Sequence, residues 1–216
     1  MYSHYNYKYR RNVIILHPGE YYATGEDCLL STVLGSCVAV ILYDEEKRIG
    51  GMNHFMLPGK FAQNNERVVQ KDLDVSGGSL ELEESGKLGV HAMELLINTI
   101  MKEGGRRLRL KAKVFGGGNV LNTGDSTGRL IDSDIGGSNV RLAFSFLERE
   151  KIPLVSSDVQ GFTARKIFLD PQTGYVYLKR LERSLLEPVR EVELNYIEEM
   201  EKKRGGGSFE LFETSR

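Results

Sequence analysis

Two short apolar runs, separated by four charged residues, constrain the fold more than any other feature of the sequence. The first run is Val38–Asp44, and the second begins at Ile49 and continues to Met56. Both runs are rich in residues that favour strands, and charged residues bound them as they usually bound strands. We therefore interpret this part of the chain as a β-hairpin.

The hairpin places a thiol opposite an imidazole. A symmetric turn pairs Asp44 with Lys47, and counting back along both strands sets Cys37 directly opposite His54. Directly opposed residues share one face of a sheet, with Cβ atoms about 4.5–5.5 Å apart. A slip of one residue in the register would send the two side chains to opposite faces. The prediction of contact therefore depends on the turn.

A thiol beside an imidazole is the basic unit of nucleophilic cysteine chemistry. Imidazolium stabilises the Cys37 thiolate, and backbone amides near Gly35-Ser36 are placed to stabilise an oxyanion. A third group must orient His54, and the nearest hydroxyls are Ser31 and Thr32, of which only one can face the site. The alternative is structural, because a cysteine before an apolar strand is more often a core residue than a nucleophile.

Composition excludes several classes of protein. Lys and Arg (29) balance Asp and Glu (30), so the positive charge expected of a nucleic-acid-binding protein is absent. The longest apolar stretch, Cys37–Tyr43, is too short to insert in a membrane, and we expect a cytoplasmic protein. Cys28 and Cys37 are too few for a disulfide framework, and no ligand spacing indicates a metal or another cofactor.

The remaining periodicity predicts an α+β domain of two packed β-sheets with flanking α-helices. Spacings of three and four residues indicate a helix from Gly86 to the Gly104-Gly105 pair and another from about Ser138 to Leu147. We expect a flexible N-terminal segment over 1–11, the main domain over 12–183, a C-terminal helix over 184–204 and a flexible tail over 205–216. Further strands are predicted at Val13–Leu16, Leu29–Val33, Leu108–Phe115, Pro153–Val159, Thr163–Leu169 and Tyr175–Leu178.

Several motifs resemble those of CheD, the family of chemoreceptor glutamine deamidases. The two most specific are Gly-Ser-Cys-Val-Ala-Val at Gly35–Val40 and Gly-Gly-Met-Asn-His-Phe-Met-Leu-Pro at Gly50–Pro58. Further similarity lies in Lys113–Gly118, Ile135–Val140 and Asp158–Lys179, and in total it covers roughly Ile14 to Leu181.

The resemblance implies a layered cysteine hydrolase fold similar to that of the cytotoxic necrotizing factor deamidase toxins. It assigns Cys37 as nucleophile and His54 as base, and it puts Ser31 where some members carry a catalytic threonine, with Thr32 one position later. The residues expected to contact substrate are Gly35, Ser36, Gly116 and Gly117.

The function implied is conversion of receptor glutamine side chains to glutamate, with release of ammonia, during chemotaxis signalling. Expected partners are the cytoplasmic helices of methyl-accepting chemoreceptors and the phosphatase CheC, which many members bind. Two alternatives stay open: a non-catalytic adaptor that binds receptors or CheC, and a cysteine amidase that acts on small molecules.

Overall fold

The computed structural model describes residues 1–57, 84–120 and 134–205. Within these ranges the chain forms ten β-strands, three α-helices and two short 3-10 turns. The strands are β1 (Tyr2–Asn6), β2 (Arg11–Ile15), β3 (Tyr21–Thr24), β4 (Cys28–Leu34), β5 (Val38–Asp44), β6 (Ile49–Asn53), β7 (Lys111–Gly116), β8 (Leu154–Val159), β9 (Arg165–Leu169) and β10 (Val176–Arg180). The helices are α1 (Glu84–Lys102), α2 (Ile135–Arg149) and α3 (Leu186–Gly205), and the 3-10 turns are Arg107–Arg109 and Arg183–Leu185.

Two five-stranded sheets form the centre of the molecule. The first sheet has the order β1-β2-β4-β9-β10, and the second has the order β3-β6-β5-β7-β8. Each sheet contains one parallel pair, β2 with β4 and β7 with β8, and its other pairs are antiparallel. Two mixed sheets with helices confirm the predicted α+β class.

Apolar side chains form two cores, one on each face of the second sheet. Along β5, Ala39 and Ile41 point into the core between the two sheets, whereas Val40 and Leu42 point into the core beneath α1 and α2. Both faces of this strand are therefore covered, which explains why its sequence is a continuous apolar run rather than an alternating one. The third helix, α3, packs on the inter-sheet core through Leu186.

The β5–β6 hairpin differs from the predicted register by two residues. Asp44 pairs with Ile49 rather than Lys47, and Val38 pairs with Phe55, so Cys37 lies level with Met56 and not His54. The turn is longer than expected because the Asp44 carboxylate accepts a hydrogen bond from the Lys47 backbone N–H at 3.1 Å. A shift of two residues keeps every side chain on its predicted face, since the side-chain period of a strand is two.

Residues 1–11, where we expect a flexible N-terminal segment from the sequence, contain a β-strand. Tyr2–Asn6 form β1, which pairs with β2 along its whole length from Tyr2–Ile15 to Asn6–Arg11. The strand is an edge strand with mostly exposed side chains, so it shows no alternation of apolar and polar residues in the sequence.

The tail that we expect over 205–216 lies outside the described residues, except for position 205 itself. None of the helices in the described ranges combines the length and apolar character that a membrane span requires.

Candidate active site

Cys37 lies in a tight connection between the two sheets. Gly35-Ser36-Cys37 joins the end of β4 in one sheet to the start of β5 in the other. The thiol is fully buried, and its Sγ lies 3.7 Å from the Sδ of Met56. The backbone of the connection is held by Gly117, whose N–H donates to the Cys37 carbonyl at 2.7 Å.

Asn139 links this connection to the segment that follows His54. Its Nδ2 donates to the Ser36 carbonyl at 3.0 Å, and its Oδ1 accepts from the Leu57 N–H at 2.8 Å. Asn139 is fully buried near the start of α2, so its two amide atoms are fixed by these two backbone groups. One side chain therefore sets the spacing between the two segments that carry the thiol and the imidazole.

His54 is held by both its main chain and its ring. Its N–H donates to the Glu20 carbonyl at 2.9 Å, and its own carbonyl accepts from Gly19 at 2.7 Å. In the ring, Nδ1 lies 2.7 Å from the Thr32 hydroxyl oxygen, and that hydroxyl also lies 2.8 Å from the Leu16 carbonyl. The Thr32 hydroxyl donates its hydrogen bond to the carbonyl, so its oxygen accepts a hydrogen bond from Nδ1–H of His54.

This network leaves the second ring nitrogen of His54 unprotonated. Nε2 is buried and has no hydrogen-bond partner within the part of the chain that the structure describes. Burial lowers the pKa of His54 from 6.5 to about 4, so the ring is neutral at pH 7. A neutral imidazole with Nδ1 protonated carries its lone pair on Nε2, which is the form that acts as a general base.

Thr32, and not Ser31, contacts the imidazole. The Ser31 hydroxyl instead donates to the Ile167 carbonyl at 2.8 Å, in the neighbouring strand β9. The two residues are adjacent on β4, so their side chains leave opposite faces of the strand. The expected placement of Ser31 beside His54 is therefore wrong, and Thr32 takes that position.

The backbone N–H groups of the connection form a cradle for a carboxylate. Glu193 in α3 places Oε1 3.0 Å from the N–H groups of both Gly35 and Cys37. Its Oε2 accepts from the Ser36 N–H at 3.0 Å and from the Ser36 hydroxyl at 2.7 Å. We call Gly35, Ser36 and Cys37 the amide cradle. Convergent backbone N–H groups of this kind are the usual components of an oxyanion hole.

Glu193 also acts on the thiol. Burial is the main cause that raises the pKa of Cys37 well above its ordinary value, and the negative charge of Glu193 and a hydrogen bond to its carboxylate add to the effect. Cys37 is therefore a neutral thiol while this carboxylate is present. The thiol and the imidazole are both uncharged in the observed state.

The four residues expected to contact substrate divide into two pairs. Gly35 and Ser36 belong to the amide cradle, whereas Gly116 and Gly117 lie behind it and support it. Gly116 has φ +109°, and a Cβ there would lie 2.2 Å from the Cys37 carbonyl oxygen. A side chain is therefore excluded at Gly116, because the backbone of β7 passes directly against the cysteine.

A cavity of about 290 Å³ opens beside this site. Thr32, His54 and Glu193 line it together with Val189 of α3 and Tyr2 of β1. A larger cavity of about 430 Å³ is lined by Asp158, Arg165 and Arg180, and neither a cysteine nor a histidine lines it. It adjoins the backbone behind the cysteine, since Arg165 donates a hydrogen bond to the Gly116 carbonyl. Among the described residues, no group of three or more His, Cys, Asp or Glu side chains is arranged to hold a metal ion.

The site combines a thiol next to backbone N–H donors with a neutral imidazole that a hydroxyl orients. These are the groups that a cysteine hydrolase requires. The family model described as CheD chemotactic sensory transduction matches residues 74–180. Relatives that are 38% and 41% identical to most of the chain carry the CheD name, and the chain belongs to the CheD family.

Two proteins from Shewanella oneidensis illustrate the similarity. "Probable chemoreceptor glutamine deamidase CheD 1" is 38% identical over 209 residues, covering 97% of this chain and 92% of that protein. "Probable chemoreceptor glutamine deamidase CheD 2" is 41% identical over 178 residues, covering 82% of this chain and 79% of that protein. Among solved structures, the hypothetical protein YfiH of Bacillus licheniformis is 13% identical, with 66% of this chain and 49% of that chain covered, at a TM-score of 0.34 that is too low to establish a shared fold.

The sequence left the choice between Thr32 and Ser31 open, and it did not predict Asn139 or Glu193 as residues of the site. Choosing between Thr32 and Ser31 required knowing which face of β4 turns towards His54. Asn139 lies within the Ile135–Val140 motif, whose similarity to the family was the available signal. No sequence signal indicated Glu193, because a glutamate in an amphipathic helix is ordinarily exposed. In the structure Glu193 is only 2% exposed.

Proposed function

We propose that this chain is a chemoreceptor glutamine deamidase that hydrolyses the side-chain amide of receptor glutamines to glutamate and ammonia. Family membership supports the substrate class. The observation that supports the chemistry is the amide cradle, whose N–H groups bind a glutamate side chain, the product of this reaction, at the cysteine.

The first half of the reaction forms a thioester. The amide oxygen of the substrate glutamine occupies the cradle, where the N–H groups of Gly35 and Cys37 stabilise the charge that develops on it. His54 Nε2 removes the thiol proton, and the Cys37 sulfur attacks the amide carbon. The carbon–nitrogen bond then breaks, and imidazolium returns the proton to the departing nitrogen, which leaves as ammonia.

The second half regenerates the enzyme. Water attacks the thioester carbon while His54 Nε2 takes one of its protons, and the cradle again stabilises the oxyanion. The carbon–sulfur bond breaks, leaving glutamate on the substrate, and the proton returns to Cys37. Throughout, the Thr32 hydroxyl accepts a hydrogen bond from Nδ1–H, which keeps the proton on Nδ1 and leaves Nε2 as the nitrogen that exchanges protons.

The proposal includes the setting in which the enzyme acts. Its substrates are the cytoplasmic helices of methyl-accepting receptors, and the enzyme itself works in the cytoplasm. Each conversion adds one negative charge to a receptor helix and creates a glutamate that a methyltransferase can use. The phosphatase CheC is the proposed regulatory partner.

The test is peptide-resolved mass spectrometry of a receptor cytoplasmic fragment incubated with the protein. Each glutamine converted raises the mass of its peptide by about 1 Da through thioester formation and hydrolysis. We expect the gain to disappear in Cys37→Ala and to persist in Cys28→Ala, which removes the other buried thiol. Absence of any gain on the receptors of the source organism would count against the proposal.

A non-catalytic adaptor is the second candidate, and one observation favours it. The carboxylate of Glu193 fills the cradle and holds Cys37 as a neutral thiol, which is an inactive arrangement. An adaptor would bind the receptor fragment equally well with Cys37→Ala and would leave the fragment mass unchanged even with Glu193→Ala.

A further inference from the structure

Helix α3 lies across the opening of the site and inserts one side chain into it. Val189 and Tyr196 lie on the same side of α3 as Glu193 and are partly buried against the inter-sheet core. The Tyr196 hydroxyl packs within 2.9 Å of the position that a Cβ on Gly19 would occupy. Gly19 in turn donates its N–H to the His54 carbonyl, so α3 contacts both the nucleophile segment and the base segment.

The inserted side chain has the chemistry of the reaction product. The Glu193 carboxylate receives three backbone N–H groups and one hydroxyl, all at 2.7–3.0 Å. No positively charged side chain is among these donors, and the backbone N–H groups of the connection stabilise the charge of the carboxylate. The fit is tight, since a Cβ on Gly35 would lie 2.9 Å from both carboxylate oxygens. A glutamate side chain on an amphipathic helix is also what a deamidated receptor helix would present.

We propose that α3 occupies the receptor-helix site of this protein as an intramolecular product mimic, with Glu193 in the place of the newly formed glutamate. The inference rests on the proposed deamidase function. It assigns the groove that α3 fills, at the ends of β2, β4 and β6, as the surface on which an amphipathic receptor helix docks. The helix must leave this groove before a receptor glutamine enters.

Departure of the helix also changes the acid–base state of the nucleophile. Removing the negative charge of Glu193 and admitting water both lower the pKa of Cys37 towards its ordinary value, and water raises that of His54. The thiol can then transfer its proton to Nε2. The docked Glu193 carboxylate and the Cys37 thiolate therefore oppose each other, whereas an uncharged side chain at position 193 would not oppose the thiolate.

The first experiment measures how fast Cys37 is alkylated in the full-length chain. With α3 docked, the reaction rate scales with the small fraction of molecules in which the helix is released. We expect Glu193→Ala to accelerate alkylation of Cys37 by iodoacetamide at least about ten-fold. Glu191→Ala, which changes an exposed glutamate on the same helix, should match the wild type. Cys28, buried and with its pKa raised to about 11, is the internal reference in every peptide map.

The second experiment turns the mimic into a substrate. Glu193→Gln puts a side-chain amide where the carboxylate lies, with its oxygen able to accept from Gly35 and Cys37. Cys37 should then deamidate that position in its own chain: the sulfur displaces ammonia, and water hydrolyses the thioester to a carboxylate. The peptide containing residue 193 should gain about 1 Da, and the double variant with Cys37→Ala should not.

The outcomes separate this inference from the proposed function. Faster alkylation of Glu193→Ala together with self-conversion of Glu193→Gln supports both. If the wild type deamidates receptor fragments but alkylation is unchanged in Glu193→Ala and Glu193→Gln is stable, the product-mimic inference is overturned and the enzyme remains. If alkylation accelerates but no variant converts any glutamine, the helix covers the thiol, yet the deamidase proposal fails, and with it the description of Glu193 as a product mimic. Glu193→Gln, close in shape to glutamate, also provides the alkylation comparison should Glu193→Ala unfold.

Discussion

Because His54 is buried as a neutral imidazole, we expect the folded protein to lose stability as the pH becomes acidic. Its pKa is about 4 in the folded protein and 6.5 in the unfolded chain, so the unfolded state binds the additional proton. Stability that depends on this group is present above pH 6.5 and is lost as the pH falls towards 4. At about 1.4 kcal/mol per pKa unit, the contribution lost between pH 8 and pH 5 is about 2 kcal/mol.

Urea unfolding at pH 8 and pH 5 measures this contribution. Other carboxylates titrate in the same range, so the comparison is between the wild type and His54→Gln, whose side-chain amide donates to Thr32 but does not ionise. We expect the wild type to lose about 2 kcal/mol more than His54→Gln over this interval. Equal losses in the two proteins would show that His54 is not held neutral, and the orientation of its ring by Thr32 would have to be reconsidered.

Three substitutions and two matched control substitutions test the surroundings of the nucleophile. Thr32→Val should lower kcat/KM on a receptor fragment about 10- to 100-fold, because the imidazole loses the acceptor that fixes its tautomer, whereas Ser31→Ala should stay within about two-fold. Gly116→Ala should destabilise the protein by about 3 kcal/mol or more in urea unfolding, since its Cβ would overlap a carbonyl oxygen. Gly161→Ala, also at positive φ but with open space around it, should show only about 1 kcal/mol from backbone strain. Asn139→Ala should remove about 2 kcal/mol in the same assay, because it leaves a buried N–H and a buried carbonyl unpaired. Full activity in Thr32→Val, or equal stability of the two glycine variants, would contradict these assignments.

The sequence was sufficient to predict most strands and the face of the hairpin, because both follow from local patterns. It did not predict the register, since the length of the turn depends on the Asp44 carboxylate capping the Lys47 N–H and on the left-handed conformation of Arg48, with φ +57°. The error of two residues preserved the side on which Cys37 and His54 lie. The family motifs supported the same pair independently.

Other features depend on long-range contacts and could not be predicted from local sequence patterns. The choice of Thr32 over Ser31 depends on which face of β4 turns towards the second sheet. The burial of Glu193 depends on N–H groups more than 150 residues earlier in the chain, in a connection between two sheets. The strand Tyr2–Asn6 forms only because β2 offers an edge with which it can pair.

The most direct test of the deamidase mechanism is the fate of water oxygen in the reaction. A receptor fragment is incubated with the Glu193→Ala variant in water enriched in ¹⁸O, and the masses of its peptides are measured by mass spectrometry. Hydrolysis of a Cys37 thioester should raise each converted peptide by about 3 Da, and the variant that also carries Cys37→Ala should leave every peptide unchanged. Conversion that persists without Cys37, or peptides that stay unchanged while Cys37 is freely alkylated, would contradict the assignment of this cysteine as the nucleophile.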